Sequence, residues 1–391
     1  MRAMLADGAR LVTITGPGGI GKSRLAIAAA AGLGERFPDG AVFVDLAPAH
    51  DRNAVTAALA QALGVRDTGD APLADKVTTA LRDRRVLLVL DNFEQALAAA
   101  PAVTELLAAA PGVSAIVTSR SLLRVGGERR YELDPLPSDD AMRLFVERAH
   151  AVRPDFEITP ANSDDVGRIC SALDGVPLAI ELGAARIRVL PPAELARRLD
   201  RRLPLLVGGA RDLPERQRTL RATIEWSAQL LDEPERVLLA RLGVFQGGFT
   251  LEAAEAVDAA VREGADEQPG DDVLSALGAL VDNSLVRQHD DAHEARFSLL
   301  ATVREYAVER LEEEGELARA RDAHASYFLT LGDRADDALE HAAQHDWVVR
   351  LSADTGNLRA AVRHLLDERE WERAAHFAWS LYLYWWVAGL L

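Results

Sequence analysis

The first 135 residues alternate short runs, most of them apolar, with longer stretches in which apolar and polar positions interleave. "LVTIT" (11–15), "GAVFVDLA" (40–47), "RRVLLVLDN" (84–92), "SAIVTSR" (114–120) and "RRYELDPL" (129–136) read as strands. The third is apolar on both faces, as an inner strand of a parallel sheet is. Helical spacing fills the gaps: "KSRLAIAAAAGLGERF", closed by Gly34 and Pro38, then residues 53–64 and 72–82, then "EQALAAAPAVTELLAAA", which Pro101 is expected to break in two. Strands alternating with helices predict an α/β fold with a parallel sheet and right-handed crossovers.

Beyond Pro135 and Pro137 the pattern becomes almost wholly helical, over 138–150, 161–173, 177–188 and 192–199. The loop "LPLLVGGARDLPE" separates these from a second helical group that runs to about residue 280. Residues 283–300, "NSLVRQHDDAHEARFSLL", read as a hairpin, and the helix "TVREYAVERLEEEGE" follows. Helices on both sides of a hairpin are the pattern of a winged helix. From about 316 onward everything is helical, and Trp347, Trp371 and paired alanines suggest helix-turn-helix repeats that begin here. The expected organisation is a P-loop-type sheet domain over 1–134, a helical domain over 135–212, a winged helix over 213–315, and over 316–391 a helical linker with the start of a repeat array.

A length of 391 residues agrees with several domains. The net charge of −17 argues against a broad nucleic-acid-binding surface. One cysteine, Cys170, excludes an intrachain disulfide and suggests a helix-core residue in a reducing, cytoplasmic compartment. No apolar leader is visible at the start. Residues 374–391 carry no formal charge, but His376, Ser380 and scattered aromatics favour a helix buried against a neighbouring repeat over a membrane span. The nine histidines show no metal spacing, and His289 and His293 fall on the hairpin turn. Eight arginines in "ARRLDRRL" and "RDLPERQRTLR" (196–221) read as a solvated linker and helix face rather than a DNA-backbone patch.

Against 42 arginines the chain has two lysines, Lys22 and Lys76. The first sits in Gly16-Pro17-Gly18-Gly19-Ile20-Gly21-Lys22-Ser23, which fits G-x-x-x-x-G-K-[ST] between a strand and a helix. Glycines let the backbone wrap phosphate, and amides at a helix start supply donors and a positive dipole end. The Lys22 ammonium is placed to reach the β- and γ-phosphates, and the Ser23 hydroxyl to ligate Mg²⁺. Arg24, next along, counts among the nucleotide-binding positions. Asp91, at the carboxyl end of "VLLVLDN", is the candidate acid for Mg²⁺, directly or through water. Asn92 follows it and cannot accept a proton, so Glu94 is the nearest candidate base. Arg120 ends "IVTSR", where a guanidinium either senses a γ-phosphate or is one more surface arginine; spacing leaves both readings open.

Together with "LDGVPLAIELGAARIRVL", "RTLRATIEWSAQLLDEPERVLLARLGVFQGGFTLEAAEAV" and "LVDNSLVR…RFSLLATVREYAVERL", these motifs resemble the STAND class of NTPases. More closely, they resemble the bacterial NB-ARC-like ATPase module of large LuxR- and AfsR-type transcriptional regulators. The resemblance covers about residues 10 to 391. It implies a P-loop domain, a helical domain, a winged helix and tetratricopeptide-like repeats that sense a signal. It also implies that Arg120 acts as the sensor arginine and that Pro177 of "GVPL" packs on the adenine, besides starting a helix. The V-G-R-E-like segment that precedes the first strand in the family is not among these residues. Leu299-Leu300-Ala301 stands where plant and animal relatives carry a histidine-aspartate pair.

The function so implied is a slow ATPase switch using ATP, ADP and Mg²⁺. ADP holds it closed, and ATP favours an open, self-associating form. A signal ligand or protein acts on the C-terminal repeats, DNA is contacted only through domains outside these residues, and no membrane is involved. A winged helix that binds DNA in its own right is the alternative. A small-molecule kinase would need an acceptor pocket and a base that the sequence does not display.

Overall fold

The five strands of the first sheet are β1 (Leu11–Thr15), β2 (Ala41–Asp45), β3 (Leu87–Asp91), β4 (Ser114–Thr118) and β5 (Glu128–Glu132). They lie in the order β2-β3-β4-β1-β5, and every pairing is parallel. β1, β3 and β4 are buried along their whole length, which is why their sequences are mostly apolar with only small polar residues and the terminal Asp91. β5, at one edge, carries four charged residues and one tyrosine, a composition that discourages further strand pairing.

The computed structural model describes residues 1–199, 202–206, 218–263, 272–290, 294–339, 341 and 344–389. These divide into two compact units. The first comprises Met1–Arg197, Leu206–Leu230 and Asp282–Ser284. Around its sheet stand α1 (Arg2–Ala6), α2 (Lys22–Ala31), α3 (Arg52–Leu63), α4 (Leu73–Leu81) and α5 (Ala100–Ala109). Packing α3, α4 and α5 on one side of the sheet and α1 and α2 on the other gives two apolar clusters, one around Leu88 and Leu90, the other around Val12, Ile14 and Val89. The unit continues as α6 (Ser138–Val152), α7 (Ser163–Ala172), α8 (Pro177–Ala184), α9 (Pro192–Arg198) and α10 (Leu220–Ala228). Pro101 does not break a long helix: it lies in the first turn of α5, where its missing amide costs nothing, and two 3₁₀ turns precede it. Cys170 is buried in α7, and burial pushes its thiol up to about 11.

The second unit holds α11 (Glu233–Arg241), β6 (Gly248–Thr250), α12 (Leu251–Glu263), α13 (Val273–Asp282), β7 (Val286–Asp290), β8 (Ala295–Leu299) and α14 (Ala301–Glu314). Its antiparallel sheet has the order β6-β8-β7, so the expected hairpin gains a third strand. This is a winged-helix fold. A helical array follows: α15 (Leu317–Leu339), α16 (Gln344–Ala353), α17 (Thr355–Asp367), α18 (Trp371–Ser380) and α19 (Tyr382–Val387). The uncharged stretch 374–391 is not one buried helix. It turns at Leu381, and while Phe377 and Tyr384 are buried, Trp379 and Trp386 remain 73% and 66% exposed. Among the described residues no helix is long and apolar enough to cross a membrane. Much of the arginine-rich stretch (200, 201 and 207–217), the expected domain boundary at 212, and His293 lie outside the described residues.

Buried polar groups tie the array to the winged helix. Asn357 on α17 donates from Nδ2 to the Gly248 carbonyl (2.7 Å) and accepts from the Gln246 amide (2.7 Å). His324 on α15 lies against Phe245 and Phe328, its Nε2 3.3 Å from Asn357 Oδ1. Burial holds its imidazole pKa down at about 4, outweighing the hydrogen bond to Asn357 that raises it. The unfolded chain takes up a proton near 6.5, whereas the folded one resists until about 4. Stability present above pH 6.5 therefore falls as the pH drops through this window, by about 1 kcal/mol per unit. Denaturant titrations between pH 7 and 4.5 should show that slope in the wild type and a shallower one in His324→Gln; equal slopes would refute the assignment.

Candidate functional site

Because β1, β4 and β3 are parallel neighbours, whatever leaves their carboxyl ends emerges on the same edge of the sheet. β1 runs into the glycine loop, β3 ends on Asp91, and β4 runs into Thr118-Ser119-Arg120. Residues widely separated in sequence thus converge without any distortion of the strands.

The loop closes onto α2 through Gly21, the residue before the helix, at φ 100°, a conformation side chains disfavour. Lys22 folds back along the loop, donating from Nζ to the carbonyls of Gly16 (2.7 Å) and Pro17 (3.1 Å). Burial lowers its pKa to about 8, an effect that Arg120 reinforces and that Glu94 and Asp91 oppose. It thus remains mostly charged at neutral pH. Ser23 Oγ donates to Asp91 Oδ1 at 2.7 Å. The Thr118 hydroxyl donates to the same carboxylate oxygen and accepts from the Asn92 amide (3.1 Å). Asn92, at φ 62°, donates from Nδ2 to Asp91 Oδ2 (3.2 Å) and to Asp45 Oδ1 (3.0 Å), linking the ends of β3 and β2.

Glu94, in the first 3₁₀ turn, lies 3.5 Å from Arg120 Nε, and both side chains are buried. The helical segment covers the loop. Leu178, in the first turn of α8, donates its amide to the Gly19 carbonyl (3.1 Å). A β-carbon on Gly19 would lie 2.8 Å from Leu178 Cβ, so glycine is needed there for the helix to approach. Arg24 pairs with Glu181 of α8 (2.9 Å), which also holds Arg148 of α6 (3.1 Å).

These elements enclose a cleft of about 260 Å³. Gly18, Gly19, Gly21, Lys22, Ser23 and Arg24 line it from the loop, and Glu94, Arg120 and Pro177 from elsewhere. Gly16 and Pro17 stand behind, as acceptors for Lys22, and Ile20 is buried beneath. Asp91 meets the cleft through Ser23. Sequence reasoning gave no role to Leu178, Glu181 or Thr223, which also line it. Glu181 had a signal: it follows Pro177 by four residues, one turn along the same helix face. Thr223 had none in its own surroundings.

A phosphate-binding loop, a strand-end acid and a strand-end arginine on a parallel sheet define a P-loop ATPase. Residues 5–124 match the AAA domain family, and residues 231–312 match the winged helix-turn-helix domain family. The chain is 42% identical over 390 residues to "Putative HTH-type transcriptional regulator Rv0890c" of Mycobacterium tuberculosis, covering 98% of this chain and 43% of that protein. It is 41% identical over 327 residues to "Uncharacterized protein Rv0894" of the same organism, covering 82% of each. Regulatory protein AfsR of Streptomyces coelicolor is 30% identical over 406 residues, with 89% of this chain and 38% of AfsR covered. Among solved structures, the STAND protein PH0952 from Pyrococcus horikoshii, which has a tetratricopeptide repeat sensor, aligns at 17% identity and TM-score 0.33, over 99% of this chain and 60% of that one. The chain belongs to the same family as Rv0894, carries an AAA-type P-loop ATPase domain and a winged helix, and over most of its length is similar to part of AfsR. It spans 43% of the length of the Rv0890c relative.

Proposed function

We propose that the chain is the nucleotide-operated switch of a transcriptional regulator, binding ADP at rest and ATP when activated, and resetting by slow hydrolysis. The observation that carries this reading is the meeting of Lys22, Ser23, Asp91 and Arg120 around one cleft. Backbone amides from Gly19 to Ser23 hold the polyphosphate, with the Lys22 ammonium neutralising its inner groups and Arg120 its outer one. Pro177 packs on the base. A hydroxyl beside a carboxylate offers the hard oxygen donors that Mg²⁺ takes while keeping several waters, so Ser23 and Asp91 would hold it. The ion, when bound, offsets charge on the phosphates. Two other carboxylates line the cleft: Glu181 is held by Arg24 and Arg148, which leaves Glu94 as the candidate to orient or deprotonate water. It is restrained by Arg120, and Asn92 supplies no base, so slow turnover is the expected behaviour.

In this reading the sheet domain (1–134), helical domain (135–212), winged helix (213–315) and repeat array (316–391) move between closed and open forms. A ligand shifts that balance only by its differential affinity for the two. The open form self-associates, and the signal is a ligand or protein bound by the array, whose successive helices would be tetratricopeptide-like repeats. DNA is reached through domains outside these residues.

Asp91→Ala tests the core of the proposal. Magnesium should strengthen ATP binding by the wild type about tenfold or more relative to excess chelator, and leave the variant's affinity within about twofold. Calorimetric titration checks this, and full magnesium dependence in the variant would overturn the assignment.

A further inference from the structure

We propose that Thr223, on α10, is a specificity-determining residue of the nucleotide cleft that sets how readily a third phosphate is admitted. The inference rests on the nucleotide reading above. α10 lies about 200 residues from the glycine loop in sequence and belongs to none of its motifs. Thr223 is nevertheless 4% exposed and lines the cleft. A β-carbon on Gly18 would lie 2.5 Å from Thr223 Cγ2 and 3.6 Å from Arg120 Nη2. The threonine methyl and the guanidinium therefore face the same point of the loop.

The methyl has little room to withdraw. Thr223 Oγ1 donates to the Thr219 carbonyl one turn back (3.1 Å), and a β-branched side chain on a helix has few rotamers. The helix start is itself held. The Thr219 hydroxyl caps it by accepting the Ala222 amide (3.0 Å), and the Leu220 amide donates to Leu206 (3.1 Å). Relief of crowding at this point requires a movement of α10, not a side-chain flip.

The amides from Gly19 to Ser23 suffice to cradle two phosphates, with Lys22 spanning the second and third. A third phosphate then enters the corner bounded by Gly18, Arg120 and the Thr223 methyl. Side-chain volume at 223 acts on that group and on no other part of the nucleotide. One methylene in a confined pocket is enough to change discrimination about tenfold.

The test compares Mg-ADP with Mg-AMP-PNP, a non-hydrolysable triphosphate, by calorimetry on the full chain after removal of bound nucleotide. The quantity read is the affinity ratio of triphosphate to diphosphate. Thr223→Ile should lower it about tenfold, and Thr223→Ala should raise it about threefold. Thr223→Val, which keeps the branched shape but loses the hydroxyl bonded to Thr219, should hold it within about twofold. If the isoleucine variant does not fold, the alanine and valine pair decides. A ratio that stays constant while both affinities move together, or does not respond to volume, overturns the proposal. A wild type that binds ADP but shows no such variant response sinks this assignment alone, and one that binds neither nucleotide sinks the nucleotide reading with it.

Discussion

Lys22→Ala is expected to reduce ATP and ADP affinity by at least about a hundredfold, because each hydrogen bond from an ammonium to a charged phosphate oxygen contributes about 1.5–3 kcal/mol. The ammonium already lies inside the loop, bonded to the Gly16 and Pro17 carbonyls, and little reorganisation separates that position from the phosphates. The chain offers no substitute. Its other lysine, Lys76, lies on α4 and pairs with Asp67. Arg120 is buried beside Glu94, and an arginine at position 22 would carry a planar, wider group into a loop shaped for a slim point charge. Lys22→Arg should therefore fail to rescue binding. Calorimetry with Mg-ADP and Mg-ATP measures the effect, and a melting curve without nucleotide separates it from loss of fold. Affinity within threefold of wild type in a folded variant would remove the foundation of the functional reading.

The largest effect on stability is expected in the second unit, at Arg241. Its side chain is 1% exposed, and it bonds bidentately to Glu316 (3.0 Å to each oxygen) and to Asp258 (2.9 Å). Arg262 holds the other oxygen of Asp258 at 2.6 Å. The cluster joins the end of α11, the middle of α12 and the residue preceding α15. Removing the guanidinium strips Glu316 of its bidentate partner and takes one of the two arginines from Asp258, and breaking such a buried pairing typically costs about 3–5 kcal/mol. Arg241→Ala should therefore lower the unfolding free energy of this unit by that amount, or prevent its folding. Replacing Arg241, Asp258 and Glu316 together by apolar residues of similar volume should cost much less, because the buried charges go together and only the partly exposed Arg262 loses a carboxylate. A single variant within about 1 kcal/mol of wild type, in urea unfolding, would contradict this account.

Much of the molecule was legible in the sequence because its elements announce themselves locally. Five short runs became five strands, the glycine loop was legible as a motif, and Asp91 and Arg120 as candidates at strand ends, since a parallel sheet sends such ends to one edge; for Arg120 the strand end left a plain surface arginine equally open. β6 was missed: three residues, Gly248–Thr250, carry no period, and pairing with β8 is what makes them a strand. The exposed Trp379 and Trp386 were missed for the opposite reason, since an uncharged run suggests burial although a turn at Leu381 leaves one face outward. Leu178 and Thr223 were invisible because their roles depend on which distant segment lies against Gly19 and Gly18. The Asp45–Asn92 link was hidden likewise: it requires β2 and β3 to be neighbours, an order no motif specifies.

Gly18 and Gly19 accommodate two helices from elsewhere in the chain as well as any bound anion. An alanine allele at either position would therefore combine two lesions, one in ligand capture and one in the seating of α8 or α10. Its phenotype could not be assigned to an empty site. Geneticists seeking a clean loss-of-ligand mutant of this protein should work at the lysine and leave those glycines alone.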